Sequence, residues 1–238
     1  MDHRAPTFFD NVAYGLAQFG PKRLRAHLDL FVGRFSGRVK WDSGLGDSLY
    51  TLYGLVRTLR PNAVIEIGSA KGKSTCAMAL ACSQNAKGKV YAIDPHTENY
   101  WSDRVSESSY EFLRNRLRAY GLEPWCEVIC KTSQEALANP PPIKADLVFI
   151  DGDHSYEGVK LDFELCKPLV SEHALVVFHD SAWEHFRHNP EYREGLAVST
   201  FLAELREQGY ESVTLFAWPG LTILQPIVGG FPFQVAQQ

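Results

Sequence analysis

The stretch Ala63-Val64-Ile65-Glu66-Ile67-Gly68-Ser69-Ala70-Lys71-Gly72-Lys73-Ser74 decides how the rest of the sequence is read. Ala63–Ile67 is short, rich in β-branched residues and closed by a glycine, which predicts a strand. Lys73–Cys82, rich in Ala with Met and Leu, predicts a helix. The turn between them contains Gly68 and Gly72. Such a turn lets a ligand approach the backbone closely and presents free helix N–H groups to it. The segment reads as the nucleotide-binding end of an α/β fold.

Three ligands compete for that turn. A phosphate-binding Walker A loop needs four residues between its first glycine and Gly-Lys-Ser, and here there are three. Leu147-Val148-Phe149-Ile150-Asp151 mimics the Walker B strand, so a P-loop-like protein hydrolysing nucleotides through Lys73 and Ser74 stands as the alternative. A dinucleotide fingerprint needs a glycine at position 70, where this chain has Ala. S-Adenosylmethionine needs no phosphate cradle and suits a strand ending in Glu66-Ile67-Gly68.

Outward from this unit, short β-rich runs alternate with helical patterns, the signature of a mostly parallel sheet. Lys89–Ile93 is a second strand ending at Asp94, placed to accept both ribose hydroxyl protons, because ligands of open α/β sheets bind outside the strands' carboxyl ends. Ser108–Tyr120 is a helix stopped by Gly121. Cys126–Cys130 is a third strand; the following Lys131-Thr132-Ser133-Gln134 suits hydrogen bonds to adenine, and Ser133 is placed to cap a short helix. Ala145–Ile150 is near-continuously hydrophobic, as expected of a strand covered on both faces. Helix Tyr156–Cys166, strand Ala174–Phe178 and helix Val198–Gln208 follow. Glu211–Ala217 and Leu221–Gln225, joined by Trp218-Pro219-Gly220, predict an antiparallel hairpin. Ahead of Ala63 the pattern is helical over Phe8–Phe19, Lys22–Val32 and Asp47–Leu59. Residues 1–60 therefore read as a helical cover on the substrate side and 61–238 as the cofactor-binding domain.

Four segments together resemble class I S-adenosylmethionine-dependent methyltransferases: Val64–Gly68, Ala92–Pro95, Phe149-Ile150-Asp151-Gly152-Asp153-His154-Ser155-Tyr156 and Val177-Phe178-His179-Asp180. The subgroup resembled is the metal-dependent small-molecule O-methyltransferases of the macrolide-sugar and aminocoumarin-sugar type. A catechol- or phenol-type O-methyltransferase is the alternative within the same fold. The resemblance implies a Rossmann-like α/β sheet of seven mostly parallel strands with helices on both faces. One strand near its C-terminal edge is antiparallel, which fits the hairpin. The cofactor implied is S-adenosylmethionine, with Glu66, Gly68, Ser69, Ser74, Asp94, Pro95, Thr132, Ser133 and Asp151 as its candidate contacts.

Asp151, Asp153, His154, His179 and Asp180 all fall at or just beyond the ends of the fourth and fifth strands. Two carboxylates and an imidazole there can hold a divalent cation with coordination positions left open. Carried over residue by residue, the resemblance implies Asp151, His179 and Asp180 as ligands of Mg2+ or Mn2+. The vicinal pair is often acid-acid or Asp-Asn in that subgroup, so His179 is a departure that softens the site. A bound cation lowers the pKa of an acceptor hydroxyl, and a base takes the proton. His154, with its ordinary pKa nearer neutrality, is the first candidate base and Asp153 the second. Acceptor specificity is expected from the loops Gly33–Gly46, Pro95–Val105 with Tyr100 and Trp101, and Trp183–Tyr192 with His185 and His188.

Composition agrees with such an enzyme. The 238 residues are 45% apolar and 22% charged, which excludes collagen-like and wholly disordered chains. No apolar run approaches the ~20 residues of a membrane span. No secretory signal pattern opens the sequence, and five cysteines without a CxxC pair read as reduced thiols, so a cytoplasmic protein is expected. A net charge of −4 argues against a dedicated nucleic-acid binder. Residues 1–40 carry seven Lys and Arg against three Asp, a basic cover on an acidic body. The expected partner is a hydroxylated small molecule, with homo-oligomerisation open.

Overall fold

The structure, a computed structural model, describes residues 20–32, 45–46, 48–97, 108–140, 143–182, 196–216 and 219–226. Strands β1 (Ala63–Ile67), β2 (Lys89–Ile93), β3 (Cys126–Ile129), β4 (Ala145–Ile150), β5 (Val170–His179), β6 (Ser212–Leu215) and β7 (Leu221–Leu224) form one sheet. Their order is β3-β2-β1-β4-β5-β7-β6. The first five pair in parallel, and β7 runs antiparallel to both β5 and β6. The expected seven-stranded sheet with one reversed strand is therefore present.

From β1 the chain steps outward to β2 and β3, then returns to the opposite side of β1 as β4. Strand order thus reverses between β1 and β4, and a crevice opens at their carboxyl ends. Register sets what lines it. Ile67 lies opposite both Ile93 and Ile150, and Ile150 lies opposite Phe178. The next residue on each strand, namely Asp94, Gly68, Asp151 and His179, is delivered to one row along that edge.

Strand side chains alternate between two hydrophobic clusters, as the period of two requires. Val64, Val90, Leu147, Phe149 and Val177 pack on one face with helices α1 (Pro21–His27), α2 (Ser48–Leu59), α3 (Lys73–Asn85) and α4 (Ser109–Tyr120). Ile65, Ile93, Val148, Ile150 and Phe178 pack on the other with α5 (Ser133–Leu137), α6 (Tyr156–Cys166) and α7 (Leu196–Glu207). α1 continues through a π-helical turn, Leu28–Val32. Through Leu49, Leu52 and Val56, α2 shares its core with α3, whose Ala77, Ala79 and Ala81 are fully buried. Small residues all round suit a helix held between the sheet and an outer helix.

Beyond shifts of one or two residues at other ends, three features differ from the sequence reading. α3 runs on to Asn85 because its polar last turn is satisfied by α2: Tyr53 donates to Gln84, Arg57 to Asn85 Oδ1 at 2.7 Å, and Asn85 Nδ2 to the Val56 carbonyl at 2.8 Å. β5 begins at Val170, four residues early, through a polar stretch where Val170 pairs with Ala145 across a register shift. The cap of α5 is Thr132, not Ser133: its hydroxyl accepts from Glu135 N at 3.2 Å, and Glu135 accepts in return from Thr132 N at 3.1 Å.

The expected helix Phe8–Phe19, most of the Gly33–Gly46 loop, the Tyr100–Trp101 part of the second loop and the Trp183–Tyr192 segment lie outside the described residues. Among those described, no helix is long and apolar enough to cross a membrane.

Candidate active site

The glycine turn is shaped by close approach. Gly68 has φ +88°, and a Cβ there would stand 2.0 Å from the Asp151 carbonyl oxygen. Its N–H donates to the Ile93 carbonyl at 2.9 Å, and Asp151 N donates to the Ile67 carbonyl at 2.9 Å. β1, β2 and β4 are thereby stitched together at the crevice, and only glycine fits. Gly72, at φ +79°, would drive a Cβ to 2.1 Å from Leu113 Cδ1 and starts α3.

Glu66 is fully buried beneath this turn. Burial pushes its carboxyl up to about 8, against hydrogen bonds from Ser74 and Thr75 that lower it; the Thr75 hydroxyl donates at 2.6 Å. Glu66 is thus neutral at pH 7. Its Oε1 and the buried hydroxyl of Ser69 have no hydrogen-bond partner. Buried polar atoms of this kind are rare in folded proteins and point to a missing ligand or water.

Asp94 sits at the end of β2 between two backbone donors: Ala70 N reaches its Oδ2 at 2.8 Å and His96 N its Oδ1 at 2.7 Å. Both donors belong to non-glycine residues in the left-handed region, Ala70 at φ +42° and His96 at +48°. This arrangement removes the P-loop alternative, which nothing else here supports. A phosphate cradle needs the turn's N–H groups for an anion, whereas here one is already held by a carboxylate that repels phosphate. Beside Asp94, the Pro95 carbonyl accepts from Cys130 Sγ at 3.5 Å. The Thr132 hydroxyl is engaged in its helix cap, and Ser133 hydrogen-bonds buried Asp162.

Across the crevice, the ends of β4 and β5 bring four ionisable side chains together. His154 Nε2 lies 2.9 Å from Asp180 Oδ2 and 3.4 Å from Asp151 Oδ1. His179 Nδ1 lies 2.9 Å from Asp151 Oδ1 and 3.2 Å from Asp180 Oδ2. The two imidazoles differ in access: the His154 side chain is 37% exposed and that of His179 only 3%. Donor atoms of Asp151, His154 and Asp180 all lie within 4.8 Å of one another, a spacing that can close on one metal ion. His179, expected as a ligand, instead bonds both carboxylates from the buried side, and its Nε2 has no partner.

Charge in this cluster is mutually stabilised. Burial alone would lower the His154 pKa, but hydrogen bonds to Asp151 and Asp180 raise it to about 10. His179 is raised by the same two carboxylates against the same burial. Burial works to raise both carboxyls, yet the imidazoles hold Asp180 and Asp151 below the ordinary value. Asp180 takes a left-handed φ of +53°, with the following Ala182 N donating to the Pro219 carbonyl at 3.3 Å. Asp153 faces elsewhere: its Oδ1 accepts from Ser155 N at 2.8 Å, and Ser155 caps α6. Gly158 leaves room for it, since a Cβ there would lie 2.5 Å from Asp153 Cγ.

Residues 65–181, the span that carries both halves of this crevice, match the family described as a methyltransferase domain. The fold is one that solved methyltransferases share. TomG, an O-methyltransferase of Streptomyces achromogenes involved in tomaymycin synthesis and solved with S-adenosylmethionine, superposes with a TM-score of 0.60 at 16% identity, covering 96% of this chain and 100% of that one. The Podospora anserina methyltransferase PaMTH1, bound to S-adenosylhomocysteine, gives 0.60 at 17% identity over 94% and 99%. A Staphylococcus aureus protein provisionally named a caffeoyl-CoA O-methyltransferase gives 0.63 at 20% identity over 90% and 96%. In sequence, 156 residues (63% of the chain) are 30% identical to the uncharacterised protein y4gI of Sinorhizobium fredii. That alignment spans only 16% of the relative's length.

Counting from the predicted strands put Gly68, Asp94 and Asp151 at the strand ends, where the structure has them. His96, two positions beyond Asp94 and buried beside it, was not singled out in the sequence.

Proposed function

We propose that this protein is an S-adenosylmethionine-dependent O-methyltransferase acting on a hydroxyl of a small molecule, with a divalent cation at Asp151 and Asp180. The observation that carries the reading is the convergence of Asp151, His154 and Asp180 beside the Gly68 turn.

The residues fit both groups. For the cofactor, the crevice offers the unpartnered Glu66 Oε1 and Ser69 hydroxyl and a carboxylate, Asp94, with acceptor capacity to spare. For the cation, the carboxylate oxygens of Asp151 and Asp180 suit Mn2+ or Mg2+ with open positions, and His154 stands beside them as base rather than ligand. S-Adenosylmethionine supplies a methyl group on a sulfonium that needs no activation, so the protein's task is the acceptor hydroxyl. A cation held by Asp151 and Asp180 supplies the Lewis acidity that lowers that hydroxyl's pKa.

His154 stands at the exposed edge of the carboxylate pair and is the base in this reading. Were Asp151 and Asp180 to hold a cation, they would no longer keep His154 protonated, and its imidazole would be free to accept the hydroxyl proton. Buried His179 holds Asp151 and Asp180 in place. Asp153, committed to the start of α6, shapes the loop. The rest is positioning of two reactants in line.

The acceptor is proposed to be a sugar-bearing natural-product scaffold, with a catechol or phenol as the second possibility. The net charge of −4 suits either better than a nucleic acid. Methyl transfer from S-adenosylmethionine to a panel of glycosides and catechols, with EDTA and after Mn2+ or Mg2+ is restored, tests the reading. Transfer that EDTA abolishes and the cation restores is expected. Transfer that resists EDTA would overturn the metal's part, and no transfer to any hydroxyl would overturn the reaction.

A further inference from the structure

His96 is the one buried imidazole on the cofactor side of the crevice among the described residues, and the function proposed above gives it no task. It is 8% exposed, and its ring Nδ1 lies 3.8 Å from Asp94 Oδ1. The ring is fixed from α4: Nδ1 pairs with the Ser109 hydroxyl at 2.9 Å, and the ring meets Tyr110 edge-on at 5.5 Å. Its Nε2 is buried and has no hydrogen-bond partner. A left-handed φ of +48° on a bulky residue costs about 1 kcal/mol or more, so this placement is not the relaxed choice of the chain.

Donors and acceptors around Asp94 say what is missing. An ionised carboxylate has about four acceptor sites. Two are filled by Ala70 N and His96 N. The two left over match the two O–H donors of a vicinal diol. A hydroxyl that donates to a carboxylate keeps its own lone pairs, which need a donor when buried. If the Ser109 hydroxyl donates to Nδ1, the imidazole proton resides on Nε2 and supplies that donor. Burial lowers the pKa of His96 despite nearby Asp94, which keeps the ring in this neutral form.

We infer that His96 is a further cofactor-binding residue, its Nε2–H donating to a hydroxyl oxygen of the ribose that Asp94 holds. The inference rests on the proposed cofactor and adds the donor that the carboxylate alone lacks.

Calorimetric titration of the full chain tests it, with S-adenosylhomocysteine and with its analogues lacking the 2′ or the 3′ hydroxyl as probes. His96→Asn tolerates the left-handed backbone and keeps a polar group near the Nδ1 position, but has nothing where Nε2 stood. His96→Gln restores a side-chain donor of greater reach. His96→Asn is expected to weaken S-adenosylhomocysteine about tenfold, and His96→Gln less. For one of the two deoxy analogues the difference between His96→Asn and the unaltered protein is expected to vanish. Equal affinity of His96→Asn and the unaltered protein for S-adenosylhomocysteine would overturn the inference. So would a loss that persists undiminished with both analogues. Failure of the unaltered protein to bind S-adenosylhomocysteine at all would instead overturn the proposed function.

Discussion

The two halves of the crevice are built on opposite plans. At the ends of β1 and β2, polar atoms are left over: Glu66 Oε1, Ser69 Oγ and His96 Nε2 have no partner. Charge is subdued there, with Glu66 neutral and Asp94 bracketed by backbone N–H groups. At the ends of β4 and β5, where His179 Nε2 is the one such unpartnered atom among the described residues, charge is abundant and mostly spent internally, two carboxylates against two imidazoles. In the proposed function the first half receives the cofactor, and the second exchanges protons for a cation before its imidazole acts as a base. That proposal makes binding and activation separable functions of neighbouring strand ends.

Gly68 is where the halves touch, and it offers the strongest way to break the comparison. Gly68→Ala sets a methyl 2.0 Å from the Asp151 carbonyl at a φ that L-residues avoid. About 3 kcal/mol of destabilisation is expected, from backbone strain and overpacking together. That corresponds to a fall of about 6–12 °C in Tm, read by thermal unfolding. A fall of less than about 2 °C would mean that the halves are not locked together at this point.

A weaker effect, the pH dependence of stability without ligands, sharpens the contrast. Glu66 and His154 both have folded pKa values above their ordinary ones, about 8 against 4.5 and about 10 against 6.5. Groups raised in this way stabilise the fold fully below the unfolded value and lose that contribution as pH rises through the folded value. Tm of the metal-free protein is therefore expected to decline first between about pH 4.5 and 8 through Glu66, then between about pH 6.5 and 10 through His154 together with buried His179, which the same carboxylates raise. Glu66→Gln should flatten the lower part of the decline and His154→Ala should lessen, without abolishing, the upper part, as unfolding scans across pH would record. Adding Mn2+ should lessen the upper part and leave the lower part unchanged, since a cation at Asp151 and Asp180 would compete with the imidazoles for the carboxylates.

How much of this was legible in the sequence follows the same division. β1, β2 and β4 have the predicted bounds, because each is a short β-rich run that ends abruptly at a Gly or Asp. Gly68, Asp94 and Asp151 could be located by counting from those ends. Features built from contacts distant in sequence could not. The last turn of α3 looks polar because its partners lie on α2, some 28 residues away. The opening of β5 looks like a loop because Ser171, Glu172 and His173 are polar and not buried, with Val170 paired to Ala145 across a register shift. The burial of His179 was not legible either: its place at the end of β5, between β4 and β7, encloses the ring, whereas His154 stays partly exposed.

The most direct test of the separation is one calorimetric experiment with S-adenosylhomocysteine, run on the unaltered protein, Asp94→Asn and Asp180→Asn side by side. The unaltered protein and Asp180→Asn are expected to bind alike, within about twofold, while Asp94→Asn, short of a charge-assisted acceptor, binds at least about tenfold more weakly. Absence of binding to the unaltered protein, or a loss in Asp180→Asn equal to that in Asp94→Asn, would contradict it.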